Sequence, residues 1–251
     1  MRLSPFERTN AISLGEVAGV DHAVLMDRIY RRQRHIYDLT RRYFLLGRDT
    51  LIARIEVGDG DRVLEIGCGT ARNLLHLARR YPLAQLFGID ASNEMLKSAR
   101  TKLSRAGIRN QVQLAHCLAE EFSSVTLFGS PEHFDTIFFS YSLSMIPKWQ
   151  AALERGLLNL KTGRSLWVVD FWDQGDLPNW FAGALQRWLS VFHVNYRPEL
   201  LEYFRTIESS GLVTLSVEPL RGRYAYLAKL TKIADPKPEI YNRGPSGIPL
   251  G

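Results

Sequence analysis

The sequence predicts an α/β fold in which a mostly parallel sheet carries helices on both faces. Three observations lead there. From Asp61 onward, short apolar runs alternate with segments of helical spacing. At the first junction, Glu65-Ile66-Gly67-Cys68-Gly69-Thr70, two glycines stand where a strand hands over to a helix. The last two runs, GLVTLSVEPL and RGRYAYLAKL, follow each other with almost no room for a crossover helix. They read as a hairpin whose final strand is antiparallel to the rest.

The elements follow in order. DRVLEIG reads as a buried strand, ARNLLHLARRYP as a helix stopped by Pro82, and AQLFGID as the second strand. NEMLKSARTKLSRAG is an amphipathic helix closed by Gly107, and QVQLAHC is a strand. FDTIFFSYSLSMIP contains the fourth strand, KWQAALERGLLNLKTG is a helix closed by Gly163, and RSLWVVDFW is the fifth strand. With the hairpin this makes a Rossmann-like sheet of seven strands. Residues 1–55 stand before it as an N-terminal helical lid. Residues 56–231 form the domain, with a helical insertion over 172–210 that carries Trp180, Phe181 and Trp188. Residues 232–251, rich in proline and glycine, form an irregular tail.

Composition narrows the class. A hydrophobic share of 45% supports a sizeable core rather than disorder. Two cysteines, Cys68 and Cys117, cannot define a disulfide scaffold, and the N-terminus has no apolar run of signal-peptide length. No stretch has the length of a membrane-spanning helix. The expectation is a cytoplasmic protein that is soluble or binds a membrane from outside. A pI near 9.4 invites a nucleic-acid reading. The charge distribution weakens it: Tyr30–Arg48 holds six arginines against Asp38, a formal +5 of the chain's +6. One basic helix suits a flat anionic surface as well as it suits a phosphate backbone.

The glycine junction narrows the ligand. A dinucleotide fingerprint wants a third glycine at position 72, where this chain has Arg72. Glu65 just before the glycines would repel a pyrophosphate, so a cationic or uncharged ligand fits better. Asp90, twenty-one residues past Gly69, ends the second strand and can accept hydrogen bonds from both hydroxyls of a ribose. The alternative is an ordinary tight turn followed by an exposed aspartate.

On Glu65, Gly67, Cys68, Gly69 and Asp90, residues 60–231 resemble the class I S-adenosylmethionine-dependent methyltransferases. The resemblance implies S-adenosyl-L-methionine as methyl donor, S-adenosyl-L-homocysteine as product, and no metal. It places Ala91 beside the ribose acid. Met95 either covers the adenine face or packs in the core. Leu118 and Ala119 stand at the family's acid–alanine pair, with Leu118 in the acid's place; backbone groups or Glu120 would then hold the adenine amino group. The fourth motif, at the acceptor edge, starts at Ser140. Ser140-Tyr141-Ser142-Leu143 lacks the Asn/Asp-Pro-Pro-aromatic tetrad of DNA amine methylation, which argues against a nucleic-acid base.

MDRIYRRQRHIYDLTRRYFLLGRD, YSLSMIPKW and FHVNYRPEL look more narrowly like bacterial N-methyltransferases of betaine-lipid synthesis, which methylate diacylglyceryl-homoserine. Phosphatidylethanolamine N-methyltransferases are neighbours of that kind. The resemblance implies an amino lipid as substrate and an anionic membrane surface as partner. An RNA methyltransferase and a non-catalytic cofactor-binding subunit are the rivals from other classes. Methyl transfer needs a neutral amine. A reference α-amino pKa of about 7.7–8.0 leaves a useful neutral fraction at pH 7, and a nearby sulfonium increases it. Positioning and desolvation then carry most of the rate. Tyr141 can orient the amine, and Tyr30 and Tyr37 can add cation–π faces for a methylated ammonium. His193 is a candidate proton acceptor, and Arg197 a partner for the homoserine carboxylate. Tyr141, Tyr30, Tyr37 and His193 each also have a plain structural role open to them.

On a helical wheel, Arg31, Arg34, His35, Asp38, Arg41 and Arg42 share one arc, while Ile36, Leu39, Tyr43 and Phe44 share the other. Tyr30 and Tyr37 border the two. Such a helix can lie in a membrane interface with Arg31, Arg34 and Arg41 on lipid headgroups. It can equally be a lid helix with a solvated face.

Overall fold

A computed structural model describes residues 45–176 and 197–235. Seven strands form one sheet: β1 (Arg62–Ile66), β2 (Gln85–Asp90), β3 (Val112–His116), β4 (Phe134–Ser140), β5 (Leu160–Phe171), β6 (Val213–Leu220) and β7 (Ala225–Lys232). Their order across the sheet is β3-β2-β1-β4-β5-β7-β6. The pairs from β3 through β5 are parallel. β7 runs antiparallel to both β5 and β6, as the hairpin pattern predicts. The strand order reverses between β1 and β4, and ligands of open α/β sheets bind outside the strand ends at such a switch point.

Alternation along the strands feeds two cores. Val63, Leu86, Phe138 and Val169 face one side; Leu64, Phe87, Phe139 and Val168 face the other. Three helices cover the first side: α1 (Arg48–Arg54), α2 (Arg72–Arg80) and α3 (Asn93–Arg105). α2 buries Leu74, Leu77 and Ala78. α3 buries Met95, Leu96, Ala99 and Leu103 at helical spacing, and the Ser92 hydroxyl caps it by accepting from the Met95 amide. After the short α4 (Ser124–Phe128), the second side is covered by α5 (Trp149–Leu158) and α6 (Pro198–Ser209). Proline at the first turn of α6 suits its fixed φ and missing donor.

Three expectations shift. α5 ends at Leu158 rather than at Gly163, and β5 begins at Leu160. The register between β4 and β5 jumps from Phe134–Leu160 to Thr136–Ser165, so the glycine sits in a bulge within the strand. Asp135 holds that bulge: Lys161 donates to it at 2.9 Å and Arg164 lies at 3.2 Å. α6, expected in the insertion, packs Leu200, Leu201, Phe204 and Ile207 into the second core. α1, expected in the lid, buries Leu51 and Ile52 in the first.

The ends of β4 and β5 are tied together by a buried carboxylate. Asp170 accepts from the Ser144 amide (3.0 Å), the Ser144 hydroxyl (2.8 Å) and the Phe171 amide (2.9 Å). It thereby fixes the 3₁₀ turn Leu143–Met145 that follows β4. Burial pushes its pKa from the ordinary 3.8 up to about 6, although those hydrogen bonds and nearby Arg197 pull it down. The folded value lies above the unfolded one. The resulting stabilisation is therefore complete below about pH 4 and is lost as pH rises through about 6, on the order of 2–3 kcal/mol in all. An NMR titration of the Asp170 carboxyl carbon, assigned with Asp170→Asn, is expected to show a midpoint near 6. A midpoint at or below the ordinary value would mean that the hydrogen bonds outweigh burial.

Candidate cofactor site

The site begins where β1 ends. The Gly67 and Cys68 amides both donate to the Ile89 carbonyl, at 2.9 and 3.0 Å, and the Gly69 amide donates to Asp90 Oδ2 at 2.7 Å. Asp90 Oδ1 accepts from the Ser92 amide at 2.8 Å. The acid that ends β2 thus organises both its own turn and the glycine loop. Gly67 has φ +75°, and a Cβ there would meet the Ser142 Cβ at 2.5 Å. A side chain is excluded both by dihedral and by space. The Ser142 hydroxyl donates to the Ile66 carbonyl at 2.7 Å, tying the turn after β4 to the end of β1.

Beside this loop lies a cavity of about 430 Å³. Glu65, Gly67, Cys68, Thr70 and Ser140 line it from the strand ends, Arg72, Asn73 and His76 from α2, and Leu45 and Arg48 from the start of α1. Lys102 reaches in from α3 and donates to the Thr70 hydroxyl at 2.9 Å. The buried Glu65 accepts from the Asn73 side-chain amide at 2.7 Å. Ser140 Oγ is buried and has no hydrogen-bond partner among the described residues. An orphaned hydroxyl on a cavity wall is explained by a bound polar group. Burial, with Asp90 and Glu65 adding to it, drives the Cys68 thiol well above its usual range, so it serves as packing rather than as a nucleophile.

The other expected cofactor contacts gather along the ends of β2 and β3. The Asp90 carbonyl accepts from the Cys117 amide at 3.2 Å, and the His116 ring is 2.9 Å from the Ala91 carbonyl. Met95 is buried in the first turn of α3, where its amide donates to the Ser92 hydroxyl. Ala119 is buried and Leu118 half-buried in the loop after β3. Glu120 is paired at 3.9 Å with Lys148.

Tyr141 departs from its expected role. It is fully buried at φ +54°, against Phe171, and its hydroxyl donates to the Leu46 carbonyl. It fastens the segment entering α1 instead of presenting a hydroxyl to the cavity. Burial raises its pKa well above the usual tyrosine range, which fits that role. Arg197 departs likewise: its Nε donates to the Ser144 carbonyl at 2.7 Å, joining α6 to the turn held by Asp170. Tyr30, Tyr37, Arg31, Arg34, Arg41 and His193 lie outside the described residues. The sequence pattern passed over Arg48, Asn73, His76, Lys102, Ser144 and Asp170. Arg72 was visible as a missing glycine, but not as a cavity wall.

These residues fit an adenosyl group that carries no phosphate. Asp90 is the acid that the resemblance assigns to a ribose; its two oxygens accept from the Gly69 and Ser92 amides, and an ionised carboxylate has about four acceptor positions in all. The buried Glu65 beside the glycines disfavours a pyrophosphate. Among the described residues no cluster of metal ligands occurs.

Residues 63–163 match a family model described as a methyltransferase domain. A trans-aconitate 2-methyltransferase of an Enterobacter species is 30% identical over 183 residues, which cover 72% of this chain and 59% of that protein. A ubiquinone/menaquinone biosynthesis C-methyltransferase of Syntrophotalea carbinolica is 28% identical over 61% of this chain and 62% of its own length. The chain thus spans about three fifths of these curated relatives. Among solved structures, a phosphoethanolamine N-methyltransferase of Haemonchus contortus, holding S-adenosylhomocysteine and phosphomonomethylethanolamine, superposes with a TM-score of 0.60. That match is 16% identical and covers 75% of this chain and 53% of the other, so it speaks for the fold alone. Strand order, glycine–acid junction and the matched family model together identify residues 63–163 as a methyltransferase domain of the class I S-adenosylmethionine-dependent fold.

Proposed function

We propose that this chain methylates the amino group of a membrane lipid, with diacylglyceryl-homoserine the acceptor that its sequence fits best. The observation that carries methyl transfer is the junction itself: a glycine loop held by Asp90 beside a cavity that reaches Ser140 at the end of β4. When bound, S-adenosylmethionine supplies the electrophilic methyl group. The chain's own residues bind and orient. Asp90 holds the loop, Ser142 and Ser144 fix the acceptor-side turn, and Tyr141 positions the segment that leads into α1. A neutral amine next to a sulfonium needs orientation and exclusion of water more than a strong base.

The lipid acceptor rests on the sequence. The basic stretch Tyr30–Arg48 has its arginines on one arc, and its end supports the reading, because Leu45 and Arg48 line the cavity. A basic amphipathic segment leading into the site could bring an anionic bilayer to it, each basic residue near such a surface contributing about 1 kcal/mol. Tyr30, Tyr37 and His193 are the candidate contacts with the amine, and Arg31, Arg34 and Arg41 with headgroups. Among the described residues no helix is long and apolar enough to cross a membrane, so attachment on this reading is peripheral. A second reading has support from the relatives: proteins about 30% identical are named for methylation of trans-aconitate and of quinones. The corresponding acceptor would be a small acid or a quinone ring.

The two are separated by supplying labelled S-adenosylmethionine with a panel. The panel holds diacylglyceryl-homoserine and phosphatidylethanolamine in anionic vesicles, free trans-aconitate, and demethylmenaquinone, with mass spectrometry of each product. Label is expected in the homoserine lipid, with less transfer at high salt. Label confined to trans-aconitate or demethylmenaquinone overturns the lipid reading while leaving methyl transfer intact.

A further inference from the structure

Tyr30–Arg48 holds +5 of the chain's +6, so charge over the remainder nearly cancels. The fold nevertheless sorts that remainder by face. On one face of the sheet, α1, α2 and α3 carry nine lysines and arginines against two acids, Asp49 and Glu94. On the opposite face, α5 and α6 carry two, Arg155 and Arg205, against the four glutamates Glu154, Glu199, Glu202 and Glu208. We propose that the outer surface of α2 and α3 is the side on which this protein lies against an anionic lipid bilayer. The inference rests on the lipid reading above and adds to it the orientation of the folded domain.

The excess of positive charge centres on α2 and α3. α2 packs on β2, and α3 on β2 and β3, so the two helices cover neighbouring strands. Their seven cations meet a single acid, Glu94, and the loop after α3 adds the exposed Arg109. The loop after α1, by contrast, adds two exposed acids, Glu56 and Asp59. Burial of Leu74 and Leu77 in α2, and of Leu96, Ala99 and Leu103 in α3, turns the apolar sides toward the sheet. Arg79, Arg80, Lys97, Arg100 and Arg105 are left exposed. Arg79, Arg100 and Arg105 stand in no ion pair among the described residues. Lys97 pairs with Glu94 three residues earlier, a surface contact of small effect. Cations spread over adjacent helices make a broad layer of positive potential, the counterpart of a flat anionic surface rather than of a single bound ion. Arg72, His76 and Lys102 from these two helices also line the cavity, so the layer adjoins the site. A single-stranded nucleic acid matches less well, because it binds by stacking on aromatic rings as well as by charge. No aromatic side chain is exposed among the described residues. The contact is therefore electrostatic and sensitive to salt.

The test sediments the full chain with phosphatidylcholine vesicles, with and without phosphatidylglycerol, at low and high salt. Wild type is expected to bind only the vesicles with phosphatidylglycerol and to leave them at high salt. Arg79→Gln combined with Arg105→Gln is expected to weaken that binding about tenfold or more. Arg155→Gln combined with Arg205→Gln removes two exposed charges from the opposite face and is expected to leave it unchanged. The arginines of Tyr30–Arg48 are intact in both variants, so they do not account for a difference between them. Unchanged affinity for S-adenosylhomocysteine shows that both variants fold. Equal losses in the two variants would reduce the effect to net charge and overturn the orientation, as would vesicle binding that ignores phosphatidylglycerol. Wild-type binding to a duplex RNA but not to the vesicles overturns it in favour of a nucleic acid. The acceptor is judged apart, by label transfer to diacylglyceryl-homoserine in neutral detergent micelles. Transfer there with no difference between the variants on vesicles rejects the surface alone. No transfer, with the expected difference on vesicles, rejects the acceptor and leaves the surface standing.

Discussion

Three successive backbone amides, those of Gly67, Cys68 and Gly69, hang from the end of the neighbouring strand. Two donate to the Ile89 carbonyl and the third to the Asp90 carboxylate. This arrangement sets how close a ligand can come to the strand ends. The loop leaves β1 with glycine dihedrals and turns directly into α2, which leads Arg72, Asn73 and His76 along the cavity. Because Asp90 terminates β2, its position depends on the parallel register of β1 and β2, which pairs Ile66 with Ile89. Sheet register and ligand chemistry are therefore one constraint: a slip of one residue would turn the strand's core side chains to the opposite face.

The turn after β4 is held from the other direction. Ser142 reaches the Ile66 carbonyl and packs against Gly67, so this turn and the glycine loop share one contact surface. Asp170 fixes Ser144 from β5, Arg197 reaches the same residue from α6, and Tyr141 grips the segment that enters α1. Four chain segments thus converge on six residues, Ser140 to Met145. A group buried this way is costly to leave unsatisfied, so such a network favours a single geometry. Precise placement is what a displacement at a sulfonium carbon needs, since orientation rather than strong acid–base chemistry carries the rate.

Much of this could be read from the chain. The strands and helices of residues 61–232 emerge because period-two and period-3.6 patterns differ sharply, and the glycine–acid junction because few ligands suit both Glu65 and Asp90. What escaped is physically specific. Gly163 looked like a helix stop, because the bulge it serves depends on Asp135 in another strand. Tyr141 looked like an acceptor contact, since nothing local announces that its hydroxyl reaches a carbonyl 95 residues earlier. Asp170 and Ser144, twenty-six apart in sequence, meet through the adjacency of β4 and β5. Arg48, Arg72 and His76 line one cavity because α1 packs beside α2 on one face of the sheet, which no spacing rule encodes. The composition of Tyr30–Arg48 drew attention to charge, whereas the described part of that stretch contributes through where it ends.

On the proposed function, Asp90 holds both the glycine loop and the ribose of the methyl donor. The most direct measurement is the calorimetric affinity of S-adenosylhomocysteine for wild type and for Asp90→Ala. Removing a carboxylate that accepts from the loop and from a diol deletes at least two charge-assisted hydrogen bonds, a loss of about 3 kcal/mol or more. Affinity is expected to fall at least a hundredfold or beyond detection, while the sheet, whose core Asp90 does not enter, still unfolds cooperatively. An unchanged affinity in a folded Asp90→Ala protein would mean that Asp90 does not hold the ribose.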